Sequence, residues 1–182
     1  MVEETEKAMV KMNIYVHTSL HGPKESDGLY GYLVECEVKD KKITLPHDID
    51  DRFCYYRNTT ETELALHGLM EVLGRITRSC DVKLFITAPR VRQALAQDFM
   101  KSWEASGWKN AKGEDIQYVF AWQALAERIK AQAIRITLAD KSEKDEYAGW
   151  FETEFIHRLR KEHTVSVSGA LAEEDGRPIR LS

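Results

Sequence analysis

The sequence predicts an α/β fold in which helices flank a mixed five-stranded sheet, with three antiparallel strands followed by two parallel ones. Three observations predict it. Early segments alternate their side chains at the two-residue period of strands. Later segments repeat apolar residues every three or four positions, as helices that face a core do. Strand-like segments then return between helices, and strands joined through a helix are parallel to each other.

The first three predicted strands follow one another near the start of the chain. The first covers residues 13–19 and ends near His17, and the second covers residues 29–38. The third is interrupted by a proline and consists of residues 42–45 and 53–56. Because Gly- and Pro-containing turns join these segments, the sequence predicts an antiparallel meander.

From Thr60 the apolar period changes to that of a helix, with a core-facing stripe at Leu66, Leu69, Met70, Leu73 and Ile76. Residues 81–87 are predicted as the fourth strand, and three helical stretches follow up to residue 131. Residues 134–138 are the fifth strand, and the last helix is expected to begin near Ser142. The predicted order is therefore β-β-β-α-β-α-α-α-β-α.

Composition limits the classes of protein that the chain can belong to. Its 182 residues favour one domain, and no apolar run approaches the ~20 residues of a membrane span. The first residues lack the apolar region of a secretory signal, so we expect a cytoplasmic protein with its three cysteines reduced. A net charge of −4 provides no long-range attraction for phosphate backbones, so nucleic-acid binding would require a local patch.

Domain boundaries are predicted from composition. Residues 1–12 are expected to form an N-terminal extension, residues 13–160 the domain, and residues 161–182 a C-terminal extension. The last segment is rich in polar residues and glycine, which cannot bury much apolar surface.

Five local motifs occur in order along these elements. They are Ile14-Tyr-Val-His-Thr-Ser19, Thr59-Thr-Glu-Thr-Glu-Leu64, the Leu84 to Gln93 stretch, the tryptophan-rich middle with Trp103, Trp108, Lys109 and Trp122, and Glu143-Lys-Asp-Glu-Tyr-Ala148. Together they resemble the ribonuclease H type 1 family from Asn13 to about Phe155. The resemblance implies a ribonuclease H-like fold.

The resemblance also implies a two-metal site for hydrolysis of the RNA strand of RNA/DNA hybrids. Such chemistry uses Mg²⁺ or Mn²⁺ held by converging carboxylates at the carboxyl edge of the parallel strands. Carried over by motif, the four positions fall on His17, Glu63, Thr87 and Asp145. Only Glu63 and Asp145 are acids, so they are the candidate catalytic and metal-binding residues that remain.

The two substituted positions favour a catalytically degenerate protein. A neutral imidazole at His17 supplies one nitrogen ligand and no negative charge, and Thr87 supplies only a hydroxyl. The first hypothesis is therefore a module without a cofactor that binds RNA/DNA hybrid or a protein partner. The alternative is an active, divergent ribonuclease that uses Mg²⁺ or Mn²⁺ with Glu63, Asp145 and a recruited ligand.

The two acids that remain also have a structural interpretation. Thr60-x-x-Glu63 fits a capping box at the start of a helix, and Ser142-x-x-Asp145 could cap the last helix in the same way. Capping explains both carboxylates without a metal ion.

The same positions also allow other arrangements. His17, Glu63 and Asp145 could hold a single transition-metal ion, since imidazole and carboxylate are ligands for such ions. Asp27 and Asp140 lie outside the motif positions but could enter the site from neighbouring loops. A solvated loop position explains both of them equally well.

The middle region resembles the part of the family that contacts the substrate, which makes Trp103, Trp108, Lys109 and Lys112 the candidate substrate-binding residues. Residues 97–115 carry three lysines against four acidic residues, a net charge of −1. That surface is not basic enough to predict strong phosphate binding. Tryptophans at helical positions are also typical of packing between helices.

Overall fold

The computed structural model describes residues 9–168 and 179–180 of the chain. Its strands are β1 (Val10–Thr18), β2 (Ser26–Val38), β3 (Lys41–Leu45), β4 (Phe53–Thr59), β5 (Cys80–Ile86), β6 (Ile134–Leu138) and β7 (Ile179–Arg180). Its helices are α1 (Glu61–Gly74), α2 (Pro89–Ala96), α3 (Phe99–Ala105), α4 (Val119–Ala131) and α5 (Ala148–Ser168), with a short 3-10 helix at Ile49–Arg52.

The predicted mixed sheet is confirmed. The strand order is β6-β5-β1-β2-β4-β7, and β3 pairs with β2 beside that path. Strand β1 is antiparallel to β2 and parallel to β5, which in turn is parallel to β6. The interrupted third strand forms both β3 and β4, and each of them pairs with β2. With β7 on the edge of β4, the sheet has seven strands within the described residues.

The last helix begins later than the sequence predicts. It starts at Ala148 and not near Ser142. The reason lies in two aspartates, because Asp140 accepts a hydrogen bond from the backbone N–H of Ser142 and Asp145 accepts one from the N–H of Tyr147. Such side-chain bonds to the backbone two residues further on stabilise turns in place of helix.

The predicted domain boundaries stay predictions. The extensions proposed at residues 1–12 and 161–182 lie largely outside the described residues. Where those segments are described, β1 already begins at Val10 and α5 continues to Ser168. None of the helices in the described part of the chain combines the length and apolar character needed to cross a bilayer.

The sheet separates two apolar cores. Because side chains alternate along β1, Ile14 and Val16 lie in the core that contains α1 and α4, whereas Tyr15 lies in the core that contains α5. In the second core Phe53 of β4 contacts Phe151 of α5, with 5.9 Å between ring centroids. Alternate residues of β1 therefore pack into the two apolar layers on opposite faces of the sheet.

Helix α1 is fixed at both ends. Thr60 caps its start by accepting a hydrogen bond from the Glu63 backbone N–H. At the other end the Arg128 guanidinium of α4 donates to the carbonyl oxygens of Leu73, Gly74 and Ile76. Carbonyls at a helix end lack partners within the helix, so this arginine ties α4 to α1.

Candidate active site

The parallel strands bring the two substituted motif positions together. Val16 of β1 pairs with Ile86 of β5, so His17 and Thr87 follow side by side at the carboxyl edge of the sheet. Ligand sites in sheets of this kind usually lie at that edge. A cleft of about 680 Å³ opens there between the strand ends, the start of α1 and one face of α5.

His17 is held in place by two contacts with α5 and the loop before it. Its Nε2 lies 2.7 Å from a carboxylate oxygen of Asp145, and its ring stacks on Phe151 with 4.5 Å between centroids. The residue is only 8% exposed. Because an ionised carboxylate can only accept, Nε2–H donates to Asp145 in that state. The two motif positions that are farthest apart in sequence are thus in direct contact.

Both carboxylate oxygens of Asp145 have partners. Oδ2 is bonded to His17, and Oδ1 accepts from the backbone N–H of Tyr147 at 3.0 Å. The cap predicted from Ser142-x-x-Asp145 is wrong, because Ser142 donates to Asp140 instead. These bonds from Ser142 lower the pKa of the Asp140 carboxyl.

Only the Thr60 half of the predicted capping box forms, because the Glu63 carboxylate bonds to a side chain and not to a backbone N–H. The Glu63 backbone N–H donates to the Thr60 hydroxyl oxygen at 3.2 Å, and the Glu63 carboxylate accepts from the Thr59 hydroxyl at 2.7 Å. The carboxylate that lines the cleft from this helix is Glu61. The structure therefore brings together His17, Thr87 and Asp145, while the Glu63 carboxylate bonds to the chain segment before α1.

Glu61 lines the candidate site, although the sequence motifs do not indicate it. It is 7% exposed and accepts a hydrogen bond from the Gly22 backbone N–H at 3.2 Å. Its other oxygen lies 3.4 Å from Nδ1 of His21. Glu61 thus anchors the β1–β2 loop to α1. Its position in the first turn of a helix was the available signal, but the motif spacing points to Glu63.

Arg92 is a second missed residue near the site. Its guanidinium donates to the carbonyl oxygens of Ile86, which ends β5, and of Ala139, which directly follows β6. A permanent positive charge therefore lies beside the strand ends, next to the turn that holds Asp140. In the sequence, only its position in α2, soon after Thr87, indicates that it lies near the site.

The donors at these positions do not fit the two-ion site that the resemblance implies. An imidazole and a hydroxyl replace two acids, and Asp145 is bonded to that imidazole. Within residues 9–168 and 179–180, no three His, Cys, Asp or Glu side chains are grouped so that they could hold an ion. Asp27 does not enter the site, since it accepts from the Tyr55 hydroxyl and the Asn58 N–H.

The candidate substrate-binding residues lie around α3 and the loop that follows it. Trp103 packs edge-on against the buried Trp122 of α4 at 5.1 Å and against Trp108 at 6.3 Å. Lys109 forms an ion pair with Asp115. The Lys112 side chain is exposed and has no ion pair within the described residues. The tryptophans therefore pack the helices together, and of the two lysines Lys112 is the less restrained.

Sequence comparison finds similarity to bacterial ribonucleases H. The chain is 32% identical to the ribonuclease H of Acidovorax sp. (strain JS42) over 69 residues, which is 38% of this chain and 46% of that protein. It is 27% identical to that of Janthinobacterium sp. (strain Marseille) over 117 residues, 64% of this chain and 74% of that one. The chain spans about half the length of several curated relatives that it matches. No protein-family model matches it.

Structural comparison finds the same fold. LC9-RNase H1, a type 1 ribonuclease H with the type 2 active-site motif, superposes with a TM-score of 0.56 at 18% identity, covering 83% of this chain and 70% of that one. The solution structure of the PFV ribonuclease H domain gives a TM-score of 0.52 at 14% identity, covering 84% and 90%. At these identities the comparison establishes the fold alone.

Proposed function

We propose that this chain, which is similar to bacterial ribonucleases H, is a catalytically degenerate member of that family that binds RNA/DNA hybrids without hydrolysing them by the two-metal route. The observation that carries this proposal is the hydrogen bond between His17 and Asp145. It joins a substituted motif position to a retained one. The carboxylate that would face a metal ion is instead bonded to an imidazole.

Loss of the two-metal route follows from charge and ligand type. Two divalent ions a few ångströms apart repel each other, and several carboxylates are needed to hold them. His17 and Thr87 bring no negative charge, and the Arg92 guanidinium adds a positive charge beside the strand ends. Each of these changes disfavours a pair of hard cations at this edge.

The same changes favour direct binding of a phosphate backbone. Acidic residues repel phosphate unless metal ions lie between them, so replacing two acids removes part of that repulsion. The foamy viral protease-reverse transcriptase, which shares the fold with a TM-score of 0.52, has been solved in complex with an RNA/DNA hybrid. For this chain, hybrid binding with contacts from Trp103, Trp108, Lys109 and Lys112 is part of the proposal.

A cleavage assay tests the loss of catalysis. A labelled RNA/DNA hybrid is incubated with the full chain in Mg²⁺ or Mn²⁺, beside the Glu63→Gln and Asp145→Asn variants. We expect no cleavage with any of the three. Metal-dependent cleavage that both substitutions remove would overturn the proposal and establish the alternative, an active divergent ribonuclease.

A binding assay tests the hybrid itself. We expect binding at low salt that weakens as salt rises, and a weaker, less salt-dependent interaction for a Lys109→Glu, Lys112→Glu double variant. A Lys39→Glu, Lys41→Glu variant is the matched control, because these lysines lie around the β2–β3 turn. Absence of binding at low salt would refute the proposal that the chain binds RNA/DNA hybrids. The binding hypothesis would then require a protein partner.

A further inference from the structure

A second cavity lies at the opposite end of the sheet from the candidate active site. Its volume is about 450 Å³, and it lies between the amino end of β1, the strands β2 and β3, and the carboxyl end of α1. Strand β1 reaches from Val10 and Met12 in this groove to His17 in the other cleft. The two cavities are therefore separated by the length of a strand and share no lining residue.

Most of the wall of the groove is apolar. Strands β1 and β2 supply Met12 and Val34, the end of β3 supplies Leu45, and α1 with the residue beyond it supplies Val72 and Ile76. These are aliphatic or thioether side chains, which bind hydrocarbon and aromatic groups by excluding water. The other lining residues include the polar side chains of Tyr32 and Thr77.

Two arginines and a histidine lie at the rim of the groove. Arg75, Arg78 and His47 line it where the chain leaves α1 and where it passes Pro46. The Arg75 guanidinium is bonded to Glu71 of the same helix. Arg78 and His47 are exposed, and neither side chain has a hydrogen bond or ion pair within the described residues. An apolar slot thus opens beside a cation that nothing in the described part of the chain neutralises.

We propose that this groove binds a small apolar organic acid, whose hydrocarbon or aromatic body fills the slot while its anionic group faces Arg78. Charge complementarity selects an anion, because a cation would face Arg78 without a counter-charge. Size selects a small molecule, since cavities of roughly 300–1,000 Å³ are typical of drug-sized ligands. The site is independent of hybrid binding at the carboxyl edge of the sheet.

The test uses the full chain and two probes, the fluorescent sulfonate 8-anilinonaphthalene-1-sulfonate and the carboxylate decanoate. The sulfonate should bind saturably with one site per chain, and decanoate should displace it. Arg78→Gln should weaken the affinity by about fivefold, as expected for loss of one partly exposed charge contact. Arg135→Gln is the matched control, because Arg135 is 72% exposed on β6, outside the groove.

A second pair of variants locates the bound probe. Val10→Trp places a large ring at the groove, where Val10 is 39% exposed, and should abolish binding with the circular dichroism spectrum unchanged. Ile156→Lys alters the other cleft, where Ile156 is 51% exposed, and should leave the affinity unchanged.

Three results would overturn the inference. They are the absence of saturable binding by the wild-type chain, equal affinities of the wild-type, Arg78→Gln and Val10→Trp chains, and displacement of the probe by a peptide of residues 1–8 in place of decanoate. The last result would identify an acidic segment of the chain itself as the occupant. None of these outcomes affects the hybrid-binding proposal.

Discussion

Two neighbouring regions along one stretch of chain differ in what they keep of the ribonuclease H pattern. The inner face of α5 packs Phe151 and Phe155 against Phe53 in a fully formed aromatic core. Just before that helix, Asp145 lies at the candidate active site but bonds to His17. The packed face forms a complete apolar core, whereas the candidate site lacks two of the four acids that two-metal hydrolysis would need.

The difference shows which positions the fold itself constrains. The Glu63 carboxylate accepts from the Thr59 hydroxyl and the Asp145 carboxylate accepts from the Tyr147 backbone N–H, so both acids have structural roles without a metal ion. His17 and Thr87 replace acids at strand ends, where neither a cap nor a turn requires a carboxylate. His17 also joins the two regions, since its ring stacks on Phe151 while its Nε2 bonds to Asp145.

The largest expected effect comes from the packed face. Phe151→Ala should reduce the free energy of unfolding by about 3–5 kcal/mol, because the ring is fully buried and its removal leaves a cavity. Urea unfolding measures it, with Phe120→Ala as the control. Phe120 is 83% exposed, so its removal should change stability by less than about 0.5 kcal/mol. Equal effects of the two substitutions would refute the packing described for α5.

A smaller loss is expected from adding one methyl group to the same core. A Cβ at Gly31 would lie 2.8 Å from the rings of both Phe53 and Phe151. Gly31→Ala should therefore destabilise the protein by about 1–3 kcal/mol. Gly74→Ala is the control, because nothing lies within 4 Å of its Cβ and alanine favours helix. Thermal unfolding should separate the two, and a stabilised Gly31→Ala variant would contradict the close approach.

The smallest expected effect is a decrease in the free energy of unfolding at acid pH, caused by a histidine in the packed layers. Burial lowers the pKa of His67, which stacks on Tyr56 at 4.9 Å, below its ordinary value of 6.5. The unfolded chain then binds the proton more tightly. The stability that neutral His67 contributes to the folded chain is therefore complete above pH 6.5. It is lost as pH falls toward and through the lowered pKa, and the free energy of unfolding falls by at most about 1.4 kcal/mol per pH unit.

The midpoints of urea unfolding, measured between pH 7 and pH 5 for the wild-type chain and for variants at two histidines, would measure this dependence. We expect His67→Gln to flatten the dependence of the urea midpoint on pH, and His157→Gln, a substitution at an exposed position, is the control. A wild-type slope retained in His67→Gln would assign the acid sensitivity to other groups.

Much of the fold was predictable because it depends on local periodicity. The alternation around Ile14 and the helical stripe from Leu66 to Ile76 predict β1 and α1, and the order of elements follows. The start of α5 was not predictable from the motif, because bonds from Asp140 and Asp145 to nearby backbone N–H groups replace the expected first turns.

The site was predictable in position but not in its contacts. The motifs indicate His17, Thr87 and Asp145, which the structure brings to one edge of the sheet. The bond between His17 and Asp145 joins residues that are far apart in sequence, so only the packing of α5 on β1 creates it. The exchange of Glu61 for Glu63 at the cleft depends on helix phase, since residues two apart on a helix point in nearly opposite directions.

The most direct measurement is a titration of the folded wild-type chain with Mn²⁺, followed by the electron paramagnetic resonance signal of the free ion. We predict that the wild-type chain leaves the signal unchanged, and that a His17→Asp, Thr87→Asp double variant reduces it saturably. A saturable loss of signal with the wild-type chain that Asp145→Asn abolishes would contradict the loss of the metal site.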